Sequence, residues 1–494
     1  MTLASLLSED IYCHSNGLKH INTIDKKAFS ALFVVNTPVF DNTGVAHGVE
    51  HMVFRGSKAF PHPETLFQLT SLTDVKINAS TLAQKTYFHC QSQCPHTFML
   101  AINYLLNGLF TPDFSYKDLQ CEIHDGNNKG VVYHELKGLE QVQSKSSQKN
   151  KQCDFYYGGK SELIGELTLQ DLTHYHQRFY RASNMTLITA NADVKQISSL
   201  ITLLPKQHQV TNEIGNIINK YGTKPKKIKA HKSDKKKYSP AINKLITLYD
   251  LWLKDPYYQE IYDYNEIDAH TKIDDKNKIN DDTKTNHTKE MLTTNAAFLP
   301  LKNNSIPSLL ILSNTLLQEE NNTKLIKCNT KSVISHVTLP SLFEELFQKA
   351  KKKLIMRAAK PNTKTVFVCT QNNTLWLSKI NENEQVIAII TSYIISAYPI
   401  FLAPRCQGSC YATQALVIDH LTYLAIYSAF DANPDTRSED ISQILLNLSQ
   451  DSHFIRENLA LAKIKYCRVN QVQYGKLKTI TATNIAAYIK NLLM

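Results

Sequence analysis

The sequence predicts an α+β protein of two domains joined by a polar linker. Three observations carry this. Residues 1–205 alternate short apolar runs of strand length with segments of helical periodicity. Residues 206–300 lose that patterning and become rich in Lys, Asn and Asp, and residues 301–494 recover it. At 494 residues the chain is long enough for two to four domains with sizeable cores.

The elements follow in order. Residues 11–20 and 29–36 read as strands. The second, Phe29-Ser-Ala-Leu-Phe-Val-Val-Asn, is almost continuously apolar and stops at Thr37-Pro38. Within Thr43 to Ser57 a short helix is expected, with Thr43 as its N-cap and Gly56 as the left-handed residue beyond its end. The prolines of Phe60-Pro61-His62-Pro63 stiffen a turn into a helix at about 64–72. Two short strands, 75–81 and 86–90, come next. Phe98, Leu100, Ile102, Leu105, Leu106 and Leu109 mark a helix over 95–110. Another helix begins at Gly130-Val-Val-Tyr-His-Glu135, and Thr168 with Asp171 opens one through Phe179 as a capping box. Met185-Thr-Leu-Ile-Thr-Ala closes this first unit as a strand.

In the linker, the charged stretches at about 211–240 and 265–290 lack the apolar content to fold alone. Between them the aromatic segment Leu245 to Tyr264 reads as one docked helix, broken at Pro256. The third region, 301–494, shows a basic helix at 341–358, a strand at 365–370 and an apolar helix at 384–398. A Gly-containing turn at 404–410 then leads to a strand at 421–428.

Chemistry concentrates in Thr43 to Ser57. A helix advances ~100° per residue, so His47, Glu50 and His51 fall within an arc of roughly 100°. Two imidazoles four residues apart can reach one metal ion, and a flanking carboxylate can polarise water there. Zinc catalysis needs such neutral nitrogen ligands, a third protein ligand and an open position. His-x-x-Glu-His is the inverted zincin order. The candidate third ligand is Glu135, at the start of its own helix; a solvated or helix-capping glutamate is the competing reading of that residue.

Composition narrows the partners. No uninterrupted apolar run approaches membrane-spanning length. The first ten residues carry acid and no arginine, unlike a secretory or organellar targeting peptide, so a cytoplasmic protein is expected. Ten cysteines are scattered as reduced thiols would be; Cys90/Cys94 and Cys406/Cys410 have Cys-x-x-x-Cys spacing and read as buried or incidental thiols. The net charge of +11 is concentrated in Lys224 to Lys237. No aromatic platform accompanies that run, so a solvated linker is expected rather than nucleic-acid binding.

Four blocks in residues 1–205 carry a family resemblance. They are Gly44-Val-Ala-His-Gly-Val-Glu-His with Gly56-Ser57; Asn78-Ala-Ser-Thr; Gly130-Val-Val-Tyr-His-Glu-Leu-Lys-Gly138; and Gly158-Gly159 followed by Leu167-Thr and Tyr180-Arg-Ala-Ser-Asn184. In this order they resemble the catalytic domain of the pitrilysin/insulinase family of zinc peptidases, within it the presequence protease branch. The resemblance implies two related mixed α/β-layer domains of the pitrilysin/processing-peptidase type. It implies one Zn2+ held by His47, His51 and Glu135, with Glu50 as general base. It places Asn78 and Ala79 on an exposed strand edge that pairs with a peptide backbone. Tyr398 to Tyr411 resembles the segment of the family's last domain that supplies an Arg and a Tyr, which implies that Arg405 and Tyr411 bind substrate and stabilise the oxyanion.

Presequence proteases have four such domains, and this chain is about half that length. The expected organisation is a catalytic domain over 1–205, a linker over 206–300 with a short helix, and a non-catalytic peptidase-like domain over 301–494 closing the cleft. Two arrangements stay open: an incomplete chamber, or one completed by a second copy of the chain or a partner subunit. The expected function is a zinc metalloendopeptidase acting on short or unfolded peptides; the alternative is a non-catalytic peptide-binding or partner subunit of the same fold.

Overall fold

A computed structural model describes residues 11–24, 29–82, 84–127, 129–145, 157–204, 238–254, 309, 312–313, 315–318, 341–357 and 364–493. The Lys224–Lys237 run, Pro256 and most of 206–300 lie outside these residues.

The run that predicts β3 is almost wholly apolar because the strand is covered on both faces. In β3 (Phe29–Asn36) the side chains of Ala31, Phe33 and Val35 enter the main core, whereas Leu32 and Val34 enter a second cluster on the opposite face. The other strands of this sheet are β1 (Ile11–Cys13), β2 (Lys19–Thr23), β4 (Lys76–Thr81), β5 (Lys85–Ser92) and β6 (Met185–Ala190). They lie in the order β1-β2-β6-β3-β5-β4, antiparallel except for the parallel pair β2 and β6. The expected strand over 11–20 is two strands instead. Ser15-Asn16-Gly17 forms a tight turn, with Gly17 at φ 86° and the His14 amide donating to the Leu18 carbonyl at 2.9 Å.

The main-core face of this sheet carries α1 (Val45–Val53), α2 (Thr65–Leu72), α3 (Pro95–Phe110), α4 (Tyr116–Glu122), α5 (Val131–Lys145), α6 (Leu169–Phe179) and α7 (Val194–Thr202). The opposite face is covered by α8 (Pro240–Lys254), whose Ile242, Leu245, Leu248 and Tyr249 pack on Leu32, Val34 and Ile188. The aromatic segment expected at 245–264 therefore begins earlier, at Pro240, and packs as a layer of the fold rather than as linker.

The second sheet repeats this logic. Its strands are β7 (Thr365–Cys369), β8 (Asn373–Lys379), β9 (Ala412–Ile418) and β10 (Tyr423–Ala429), all antiparallel in the order β7-β8-β10-β9. Trp376, Leu424 and Ile426 face the main core, and Leu375, Leu377 and Ala425 face a helix, α9 (Ser341–Arg357). Lys349 and Lys352 lie on the solvent side of α9; Phe343, Leu346, Ala350 and Leu354 are its buried stripe. On the core side lie α10 (Gln385–Ala397), α11 (Pro399–Cys406), α12 (Arg437–Gln450), α13 (Ser452–Asn470) and α14 (Ala482–Leu492). The turn expected at 404–410 is in its first part the end of α11. Pro399 opens that helix at a position where a missing amide is harmless, and Pro404 sits inside it.

The two sheets share one core cluster, running from Leu18 to Leu492. Polar contacts reinforce the seam: Lys465 of α13 donates to the last carbonyls of α2, Thr70 and Ser71, both at 2.9 Å, and lies over the Tyr393 ring at 4.3 Å. Burial draws the Lys465 ammonium down to about 8. The unfolded chain keeps that proton to about 10.4, so between these values folding becomes more favourable as pH rises; below about 8 both states are protonated and the penalty is constant. Wild-type protein is expected to gain on the order of 2 kcal/mol through this window by denaturant titration, and Lys465→Met to lack that increment. An equal pH slope in both proteins would refute the assignment.

Among the described residues no single helix is long and apolar enough to cross a membrane. Cys90, Cys94, Cys406 and Cys410 are buried free thiols, as their spacing suggests.

Candidate active site

The helix that carries the histidines begins where two glycine backbones touch. Gly44, at φ 78°, precedes α1 as its N-cap. A Cβ there would lie 2.8 Å from the Gly158 carbonyl oxygen, and one on Gly159, at φ 86°, would lie 2.7 Å from Gly44 Cα. Only glycine permits this approach. It brings the Gly158 carbonyl to His47, whose Nδ1 donates to it at 2.9 Å. Thr43, expected as the N-cap, stands one residue outside; its amide and hydroxyl both donate to Asp41 Oδ1, at 2.8 and 2.6 Å. Gly56 is not left-handed either. The helix ends at Val53 through Phe54 and Arg55 amides tightened onto His51 and Met52, which turns Arg55 back toward the site.

His51 is oriented in the same manner as His47, by a carboxylate. Its Nδ1 lies 2.8 Å from Glu122 Oε1, and Glu122 is the last residue of α4, which Ser115 caps. With both Nδ1 atoms donating, each imidazole presents Nε2 as its lone-pair atom. Those two atoms stand 3.5 and 3.4 Å from Glu135 Oε2, which arrives on α5. One ligand-type atom from each of the three residues lies within 4.8 Å of the other two. The structure thus brings Glu135 to the two histidines across the 84 positions that separate it from His51.

The donor set fits a divalent metal ion. Glu135 Oε2 is buried and makes no hydrogen bond, although two imidazole nitrogens face it; an atom so placed is stabilised by a cation. Burial alone would raise the Glu135 pKa, but the two histidines hold it well below the ordinary carboxylate range. Burial lowers the His51 pKa, and the neighbouring carboxylates of Glu122 and Glu135 outweigh this and raise it to about 10. A proton and a metal ion would compete for the same Nε2.

Glu50 is buried on the same helix, and the Thr81 hydroxyl donates to its Oε2. Thr81 ends β4, which pairs with β5 alone and is the edge of its sheet. Asn78 and Ala79 lie on this edge, opposite His89 and Phe88. The Asn78 side chain is exposed and accepts from the Ala79 amide at 2.9 Å, whereas Ala79 is buried. Among the described residues no strand pairs with the outer side of β4.

Tyr411 reaches the site from the second half. The field of Glu135, then burial, push its hydroxyl pKa far up, so it stays protonated. Beside it Phe430, at φ 47°, packs flat against Gly138, one turn beyond Glu135. Arg405 is paired with Glu122: Nη1 and Nη2 each lie 2.8 Å from one of its oxygens. Glu122 and Arg55 touch the candidate site, and pattern reading misses both. A carboxylate at a helix C-terminus opposes the helix dipole, which is a faint sign of tertiary partners and the one local signal available.

Comparison with known proteins follows from this geometry. Residues 40–152 match the family model described as Insulinase (Peptidase family M16). These residues resemble a peptidase segment of that family. The chain is 30% identical over 182 residues to the mitochondrial presequence protease of Danio rerio, covering 33% of this chain and 18% of that protein. The Candida albicans mitochondrial presequence protease is 29% identical over 189 residues, 33% of this chain and 17% of that protein. The matched stretch is thus about a fifth of the length of these relatives. A protease structure from Helicobacter pylori aligns with 98% of this chain and 96% of its own at 9% identity, with a TM-score of 0.33, too loose a superposition to bear on the site.

Proposed function

We propose that this chain is a zinc-dependent metallopeptidase that hydrolyses short or unfolded peptides. The observation that carries the reading is the convergence of His47 Nε2, His51 Nε2 and a buried Glu135 oxygen that makes no hydrogen bond. These three residues would hold the ion, which when bound supplies a Lewis acid that makes water a nucleophile near neutral pH. Glu50 would accept the proton of the attacking water and deliver it to the leaving amine. Thr81 fixes one of its oxygens for that task. Tyr411, kept protonated, would donate to the developing oxyanion. The free side of β4 would take an extended peptide as an added strand, a mode that recognises backbone more than side chains.

The test is zinc content together with cleavage of quenched-fluorescent peptides by the full chain, with its solution mass measured alongside. The expected result is about one zinc per chain and cleavage that a chelator abolishes and zinc restores. Absence of zinc uptake would sink the reading. Stoichiometric zinc with no cleavage of any peptide would favour a peptide-binding subunit, and a dimeric mass would support a second copy completing the chamber.

A further inference from the structure

The second half of the chain meets the first at a charged point directly behind a proposed metal ligand. Arg405, in the last turn of α11, grips both oxygens of Glu122 at 2.8 Å, and its guanidinium lies 5.3 Å from the centroid of the Phe67 ring. Glu122 Oε1 also accepts from His51 Nδ1 at 2.8 Å. Arg55 approaches from the first half, with Nη1 3.4 Å from Glu122 Oε2 and 2.9 Å from the Cys406 carbonyl that follows Arg405. A two-pronged guanidinium–carboxylate pair fixes the plane of the carboxylate. That plane in turn selects which His51 nitrogen bears hydrogen and how the ring tilts. The Glu122 side chain is only 2% exposed, so water cannot replace a lost donor.

We propose that Arg405 is a positioning residue: docking of the second half, transmitted through Glu122, holds His51 in the tautomer and orientation that metal ligation requires. The inference rests on the zinc reading above. It makes metal affinity a property of the docked halves rather than of the His-x-x-Glu-His helix alone.

The experiment uses the full chain, zinc titrated against a chromophoric chelator, and the visible absorption of the Co2+-substituted protein. Arg405→Met is expected to weaken zinc 10- to 100-fold and to alter the cobalt bands, as loss of an orienting partner does. Arg405→Lys, which keeps charge without the fork, should fall between and decides the matter if Arg405→Met does not fold. Lys465→Met, which loosens the seam at Thr70 and Ser71 instead, should bind zinc within twofold of wild type. Unchanged affinity and cobalt bands in both Arg405 variants would overturn the proposal while leaving the zinc reading intact. Equal weakening in Lys465→Met would overturn it too, since general loosening would then suffice. Failure of the wild-type chain to bind zinc would refute the zinc reading itself.

Discussion

Glu50→Gln is expected to retain its zinc and lose peptide turnover by about 10³-fold or more. The change is nearly isosteric. The introduced amide's oxygen can still accept from the Thr81 hydroxyl, so the buried hydrogen bond and the packing of α1 survive. His47, His51 and Glu135 are untouched, so the metal stays. What disappears is a group that can take a proton from water and return it to an amine, and nothing else on the helix can substitute. The measurements are metal analysis and kcat on a quenched-fluorescent peptide, made on the same preparation. Wild-type kcat in zinc-loaded Glu50→Gln protein would exclude Glu50 as the base.

Gly408→Ala is expected to cost roughly 3–5 kcal/mol of stability, near the top of the range for one residue. Gly408 has φ 77°, where an L side chain is strained, and a Cβ there would sit 2.2 Å from the Cys121 carbonyl oxygen. Its own carbonyl accepts from the Gly130 amide at 3.1 Å, just before α5. The added methyl must therefore push the loop after α11 away from the α4–α5 connection, which lies between Glu122 and Glu135. Denaturant unfolding should show the loss, and zinc affinity should fall with it. Wild-type stability in Gly408→Ala protein would mean that this contact is looser than the distances say.

Elements with strong local signals were legible in the sequence. Phe29–Asn36, Pro95–Phe110 and Met185–Ala190 stand where their patterns place them, because a dense apolar run or a full stripe of helical period leaves little choice. The capping box at Thr168 and Asp171 is present with both hydrogen bonds. Strand Asn373–Lys379 and the helices Arg437–Gln450, Ser452–Asn470 and Ala482–Leu492 were not assigned. Arg437–Gln450 is largely polar, with a narrow stripe of Ile441, Leu445 and Leu448 marking its buried side.

The site divides along the same line. His47, Glu50 and His51 share a helix, so their common face follows from helical geometry alone. The position of Glu135 beside them depends on how α5 packs; the residues alone offer it as a third ligand against a solvated or helix-capping reading, and the family resemblance favours the ligand. The contact of Arg405 with Glu122 is not legible in the sequence: the two residues are 283 positions apart, and no periodicity connects them.

The single core running from Leu18 to Leu492 has a consequence for how the protein is made. When Ala190 leaves the ribosome, the apolar surface over the first sheet still lacks the residues that close it, and about 300 more must be added before Leu492 appears. At typical elongation rates that interval is roughly 15–60 s. A nascent chain that holds part of its apolar surface uncovered through that interval is exposed to self-association until the C-terminal part of the core arrives.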